Sequence, residues 1–180
     1  MATNKPITIA NPIDASGCVT TTDFIHHQIH EGEHFFTSYY EKVGSATAIN
    51  ILITAGSKEV HMLGEIVCDN PGMAYFCVNP GCTASGGTVL TAFNNRESST
   101  NVASTVTVVG GTYTSSGTVV RTYLFGSSSG TGGNKVSVGA TAGEVNEAIL
   151  AANSVHLIRF VADGSSTRTI IRTSFYEADW

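Results

Sequence analysis

Between His34 and Tyr176 the chain is a succession of short apolar runs in period two, each closed after about eight to twelve residues by a cluster of Gly, Asn, Asp, Ser or Pro. Successive side chains of a strand point to opposite faces, so this pattern suits half-buried strands and gives a helix no continuous apolar stripe. Without helical crossovers a chain cannot build a parallel sheet, which leaves antiparallel sheets packed face to face or closed on themselves. A length of 180 residues supports one domain with a real core and is short for two. The pattern predicts an all-β, antiparallel, jelly-roll-like β-sandwich over residues 24–180, preceded by an extended N-terminal arm over residues 1–23.

Taken in order, residues 1–23 carry Pro6, Pro12, Gly17 and Thr20-Thr21-Thr22 with no sustained apolar period, hence the arm. Thr47 to Thr54 places Ile49, Ile51 and Ile53 on one face of a core strand, with Ala48 and Asn50 on the other. Glu59 to Cys68 alternates with Val60, Met62, Ile66 and Cys68 inward, leaving Glu59, His61 and Glu65 on a wet face. Asp69-Asn70-Pro71-Gly72 is turn chemistry and predicts a hairpin with a return strand at Met73 to Val78. Thr88 to Phe93, Ser104 to Val109 and Thr118 to Phe125 read as further strands, Asn94 to Asn101 as a polar loop, and Ser127 to Asn134 as a flexible exposed loop. Glu144 to Asn153 has Val145, Ile149 and Ala152 at helical spacing but is short for a helix, so a brief strand at Ala148 to Leu150 is preferred. Val155 to Ala162 and Thr167 to Tyr176, joined by Asp163-Gly164-Ser165-Ser166, predict a second hairpin. No unit recurs at a fixed period.

Charged residues are only 13% of the chain, about half the usual share, with Thr, Ser, Gly and Asn in their place. That composition suits twisted strands with hydroxyl-rich faces. The net charge is −5 and the nine Lys and Arg are scattered singly, so no basic stripe is present to bind nucleic acid directly. No stretch reaches the roughly 18 apolar residues of a membrane helix, and no apolar run follows Met1 to Pro6 as in a signal peptide. Cys18, Cys68, Cys77 and Cys82 lack C-x-x-C spacing. They are expected as reduced thiols, with Cys68 and Cys77 buried, and a Cys77–Cys82 bridge as the minor alternative.

Four of the six histidines fall in Phe24 to Tyr40, and His30-Glu31-Gly32-Glu33-His34 matches the H-E-x-x-H zinc-hydrolase signature. That chemistry needs the two histidines one helical turn apart around a Zn²⁺ whose water the glutamate polarises. Gly32 costs a helix about 1 kcal/mol relative to alanine, and no third histidine follows at the extended spacing. A strand would instead put His30, Gly32 and His34 on one face and Glu31, Glu33 and Phe35 on the other. The match is expected by chance in about one such chain in a hundred. The reading is therefore of polar strand or surface residues, with no catalytic residue, no cofactor and no metal, and with His30, Glu31 and His34 as the set a metal would use. The histidines are expected to titrate, partly exposed, at a contact. His61 and His156 read as surface or hydrogen-bonded core residues, and Glu31 with Glu33 or Glu65 as a solvated face. Tyr39, Tyr40, Tyr113 and Tyr123 could form a sugar-binding platform or pack at an interface or in the core.

The run Ile29-His30-Glu31-Gly32-Glu33-His34-Phe35 resembles the opening of a group of small tailed-bacteriophage virion structural proteins. The similarity continues through Phe93-Asn94-Asn95-Arg96, Val106-Thr107-Val108, Ile149 to Phe160 and Phe175-Tyr176-Glu177. The four cysteines depart from that pattern, as does Ala151-Ala152, where a Lys-Pro turn is more usual. The resemblance implies a non-enzymatic capsid decoration or cement protein with a β-sandwich fold, located in the virion and assembled in the host cytoplasm. Its expected partners are the major capsid protein or other virion proteins, and further copies of itself, by analogy as a trimer. The expected contact residues are Pro6, Ile7, Ile9, Pro12 and Ile13 of the arm with Phe24, Ile25, His26, His27, His30 and His34 of the junction. Other readings are receptor or glycan binding through Asn94 to Asn101 and Ser127 to Asn134, and the zinc hydrolase.

Overall fold

The computed structural model describes residues 28–29, 31–78, 87–98, 104–111, 113, 117–125, 147–164 and 166–178. Among them the alternating segments form strands β1 (His34–Val43), β2 (Ala48–Thr54), β3 (Glu59–Cys68), β4 (Gly72–Val78), β5 (Thr88–Leu90), β6 (Phe93–Asn94), β7 (Thr107–Gly111), β8 (Thr118–Phe125), β9 (Ala148–Leu150), β10 (Val155–Ala162) and β11 (Thr167–Ala178). Two sheets result, ordered β6-β1-β11-β3-β9 and β5-β7-β2-β10-β4-β8. Every pairing is antiparallel. The all-β sandwich expected from the pattern is the observed architecture.

The pairing is nested: β1 lies beside β11, β2 beside β10, β3 beside β9 and β4 beside β8. Strands adjacent in sequence therefore tend to sit in opposite sheets. This corrects both predicted hairpins. Asp69 to Gly72 carries the chain from β3 in one sheet to β4 in the other, and Asp163 to Ser166 does the same between β10 and β11. Turn residues specify a reversal, and what they reverse into is decided by the strands' other partners. At Gly72 an added Cβ would lie 2.5 Å from both the Phe160 ring and the Val161 carbonyl, so only glycine lets β4 start this close to β10. The corners interlock. Asp163 N donates to Pro71 O (3.0 Å), Ala46 N to Ala162 O (2.8 Å) and Ala162 N to Thr47 O (3.2 Å). The Asp69 carboxylate accepts from Arg168 N (2.7 Å) and Nε (2.8 Å). Burial pushes its pKa up, but the Arg168 hydrogen bonds and charge outweigh this and hold it lowered.

Other boundaries shift for similar reasons. The predicted Thr88 to Phe93 strand is two short strands on different sheets, because the chain crosses over at Thr91 and Ala92. The strand expected at Ser104 to Val109 is instead Thr107–Gly111, since Ser104 to Val106 are held by side-chain bonds. The brief strand at Ala148 to Leu150 forms where the alternation placed it.

The core between the sheets is built on Ile49, Ile51 and Ile53, with Ile158 and Phe160 from β10 and Ile171 and Phe175 from β11. Fully burying side chains of this size contributes about 1.5–3 kcal/mol each. The opposite face of β2, which carries Ala48 and Asn50, also carries Leu52. Leu52, Cys77 and Leu157 form a second cluster there against Tyr75, Tyr113 and Val155, so the central strands are covered on both faces. Asn50 is buried too, and its amide donates to Gly111 O (3.1 Å). Nor are threonines confined to the outside: Thr37 and Thr173 face each other across β1 and β11, both buried. Cys68 is a buried free thiol, pushed up to about 11 by burial and then by the Asp69 charge. Cys77 is buried, while Cys18, Cys82 and the Ser127 to Asn134 loop lie outside the described residues.

Candidate functional site

The junction that carries the histidine signature is a corner. Gln28, Ile29 and Glu31 are helical, closed by Gly32 N to Ile29 O (3.0 Å) and Glu33 N to Gln28 O (2.9 Å). Gly32 then takes φ = 74°, a left-handed conformation natural to glycine that ends the turn, and the first strand starts two residues later. The expected strand through residues 30–34 is thereby corrected, because Gly32 breaks the alternation that would have put His30 and His34 on one face. A zincin's continuous helical turn from residue 30 to residue 34 is broken at the same glycine.

His34 is 5% exposed, not the exposed titrating residue expected. It pairs with Tyr176 across the sheet, and Asn95 donates its side-chain amide to His34 Nδ1. Burial lowers the His34 pKa. Asn95 N also donates to His34 O (2.9 Å), and Asn94 Nδ2 to Gly32 O (2.5 Å). Phe93 lies against Phe36 with ring centroids 5.8 Å apart. What reads in sequence as the start of a polar loop is the clamp that fixes the corner.

Two more polar knots were missed by pattern reasoning. Glu147 Oε1 accepts from Tyr176 OH (3.0 Å) and lies 2.8 Å from His61 Nδ1, while the His61 and Tyr176 rings stack at 4.7 Å. His61 is on the outer face as its parity requires, but the stacking buries it. The Tyr176 phenol is pushed up to about 12 by burial and by Glu147. Glu177 accepts from Ser104 Oγ (2.7 Å), Thr105 N (2.7 Å) and Thr105 Oγ1 (2.6 Å), tying the segment before β7 to the end of β11. The available signal was parity: Glu147 shares the outward parity of Ile149, which pairs directly with His61. His156, as expected of a core histidine, is buried, bonded at Nε2 to Ser154 Oγ (2.8 Å) and stacked on Phe76.

The remaining candidates do not assemble. Glu31 and Glu33 are exposed, and Glu65 accepts from Arg172 Nη1 (3.1 Å). Tyr39 donates to Glu41 (3.0 Å), Tyr40 is exposed on the outer face of β1, Tyr113 donates to Val109 O (2.8 Å) and Tyr123 faces the interior, so the four form no common platform. Among the described residues no group of three or more His, Cys, Asp and Glu could hold a metal. Pro6, Ile7, Ile9, Pro12, Ile13, Phe24, Ile25, His26, His27 and His30 lie outside the described residues.

Among the described residues a cavity of about 340 Å³ lies between the sheets, where β3 of one faces β8 of the other. Its walls are chiefly Met62, Ile66, Phe76, Tyr123, Phe125 and Ile158, and Gly64 leaves part of the floor bare. Arg121 stands among the lining residues. Among the described residues β9 pairs only with Val60, His61 and Met62, and the cavity opens beside that short pairing. Among the described residues the rest of β3, from Leu63 to Cys68, has no strand on that side, and β8 ends its own sheet. Among the described residues these apolar walls lie beside β3 main chain that has no strand partner on that side.

Fold and site together define an all-β sandwich with tightly bonded polar corners and, among the described residues, an apolar inter-sheet groove. No family model matches the chain, and no curated protein or solved structure matches it.

Proposed function

We propose that this chain is a non-enzymatic structural protein of a phage virion, a capsid decoration or cement protein that binds the major capsid protein through its N-terminal arm and its sandwich. The observation that carries this reading is the construction of the junction. Asn94 and Asn95 spend their side chains and main chain on Gly32 and His34, so the entry to β1 is held in place. A segment anchored this firmly at its root suits a rigid block that reaches across a neighbour. The nested pairing supports a jelly-roll-like reading of the sandwich, with β1-β11-β3-β9 in one sheet, β2-β10-β4-β8 in the other, and β5, β6 and β7 falling between β4 and β8 in sequence. The protein would reside in the virion, assembled in the host cytoplasm as a homo-oligomer.

The test is mass spectrometry and electron microscopy of purified particles. The protein is expected on mature virions, and its absence from them would overturn the reading. Removal of residues 1–23 is expected to abolish attachment while circular dichroism still reports the folded sandwich, and undiminished attachment would take the arm out of the mechanism.

A further inference from the structure

Resting on the reading that the arm reaches a neighbour, we propose that the inter-sheet cavity is the acceptor for the N-terminal arm of a second copy of this chain, the segment Ile7-Thr8-Ile9 adding a strand to the open edge of β3. The acceptor side is complete in the described residues. Among the described residues, main chain from Leu63 to Cys68 has no strand partner on the β9 side, and the side chains of β3 that face inward do so at every second residue, with Gly64 and Ile66 bordering the cavity. A strand laid along that edge directs alternate side chains into the same apolar space.

The donor side has the matching pattern. Ile7 and Ile9 share one face of an extended chain, the spacing of Gly64 and Ile66, and Thr8 and Ala10 share the other. Pro6 and Pro12 bracket the segment. Proline lacks an amide hydrogen and is at home at the ends of an added edge strand, where it limits the pairing to the residues between. The arm carries Asp14 just beyond Pro12 and Ile13, and the cavity lining includes the Arg121 cation, so the charges are complementary at the rim.

Sheet order favours a second copy over the chain's own arm. The described chain enters beside β1 and β6, whereas the cavity lies at the β3 and β9 edge, with β11 intervening. Residues 14–27 span at most about 46–50 Å when extended. That would let the arm double back over its own sheet, but an edge-to-edge neighbour receives it without a reversal. Donor and acceptor then sit on opposite edges of one sheet, and each copy can give and receive.

Two variants and their mixture test this. Gly64→Leu fills the acceptor: among the described residues a Cβ at Gly64 meets Ile158 Cδ1 at 3.6 Å, an ordinary contact, so the backbone there accepts a side chain. The pair Ile7→Asp and Ile9→Asp disables the donor. In sedimentation velocity the unaltered full-length chain is expected to self-associate and each variant to do so at least about tenfold more weakly, with circular dichroism showing each variant folded as the parent is. A mixture of the two variants retains one intact donor and one intact acceptor and is expected to form a 1:1 complex. A parent chain that stays monomeric, variants that associate as the parent does, or a mixture that fails to combine would each overturn the proposal, and none of these bears on whether the protein is found on virions.

Discussion

His34 and His156 make acid the sharpest probe of the fold. Burial lowers both pKa values from the usual 6.5. The cause is visible at each ring. His34 Nδ1 already accepts from the Asn95 amide, so a proton placed there would set donor against donor. His156 Nδ1 is buried with no hydrogen-bond partner, while its other nitrogen is held by Ser154. The unfolded chain therefore binds protons at these sites before the folded one does. Their stabilising contribution is full above pH 6.5 and is lost as pH falls below it, until the folded-state values are reached. Each histidine can cost at most about 1.4 kcal/mol per pH unit in that window. For a domain of this size each kcal/mol lost lowers the melting temperature by about 2–4 °C. Melts followed by circular dichroism at pH 7.5 and pH 5.5 should show the loss, and imidazole NMR titration should give two midpoints below 6.5. A melting temperature equal or higher at pH 5.5, or midpoints at or above 6.5 for these two rings, would refute the reasoning. The Asp69 carboxyl, held lowered by Arg168, acts in a separate window below its usual range.

Two further perturbations probe the polar knots. Glu177→Ala removes three short hydrogen bonds to a carboxylate and is expected to destabilise the chain by about 1–3 kcal/mol in denaturant titration, with Glu177→Gln retaining part of the loss; an unchanged midpoint would mean the segment before β7 is held by something else. Tyr176 should ionise near pH 12 in an ultraviolet titration, and its stabilising contribution should fall away as pH rises from about 10 to about 12, because the unfolded phenol ionises first. Glu147→Gln should bring that ionisation down, and a phenol that stays near 12 in the variant would assign the shift to burial alone.

The sandwich was legible because alternation is a local property. Ile49, Ile51 and Ile53 face inward for the reason the period implies, and β9 occupies the three residues that the alternation allotted to it. Connectivity was not legible, since Asp69 to Gly72 encodes a reversal and says nothing about which sheet follows. The choice is made by contacts far away in sequence, such as Phe160 against the bare Cα of Gly72. Burial of polar residues was hidden for a related reason. His61 has the parity of a wet face and becomes buried because Tyr176, more than a hundred positions later, is set beside it by the β3–β11 register. Asn50 alternates as an outward residue should, yet both faces of β2 are covered.

The histidine signature shows the same gap between spelling and geometry. An H-E-x-x-H site works only if five consecutive residues share one helix, and the middle residue of this run has φ = 74°. That glycine turns a closed helical turn into the root of a strand, and its carbonyl accepts the Asn94 side chain. The terminal histidine is then fixed by Asn95 on one side and by register with Tyr176 on the other, so both of its constraints come from segments distant in sequence. Ile29 to Phe35, Phe93 to Arg96 and Phe175 to Glu177 look unrelated along the chain. In space the described parts of all three meet at the start of β1, where the corner needs a glycine to turn, an amide pair to clamp it and an aromatic strand to back it. Of the described residues of that run, Gly32 and His34 are accounted for by the building of that corner.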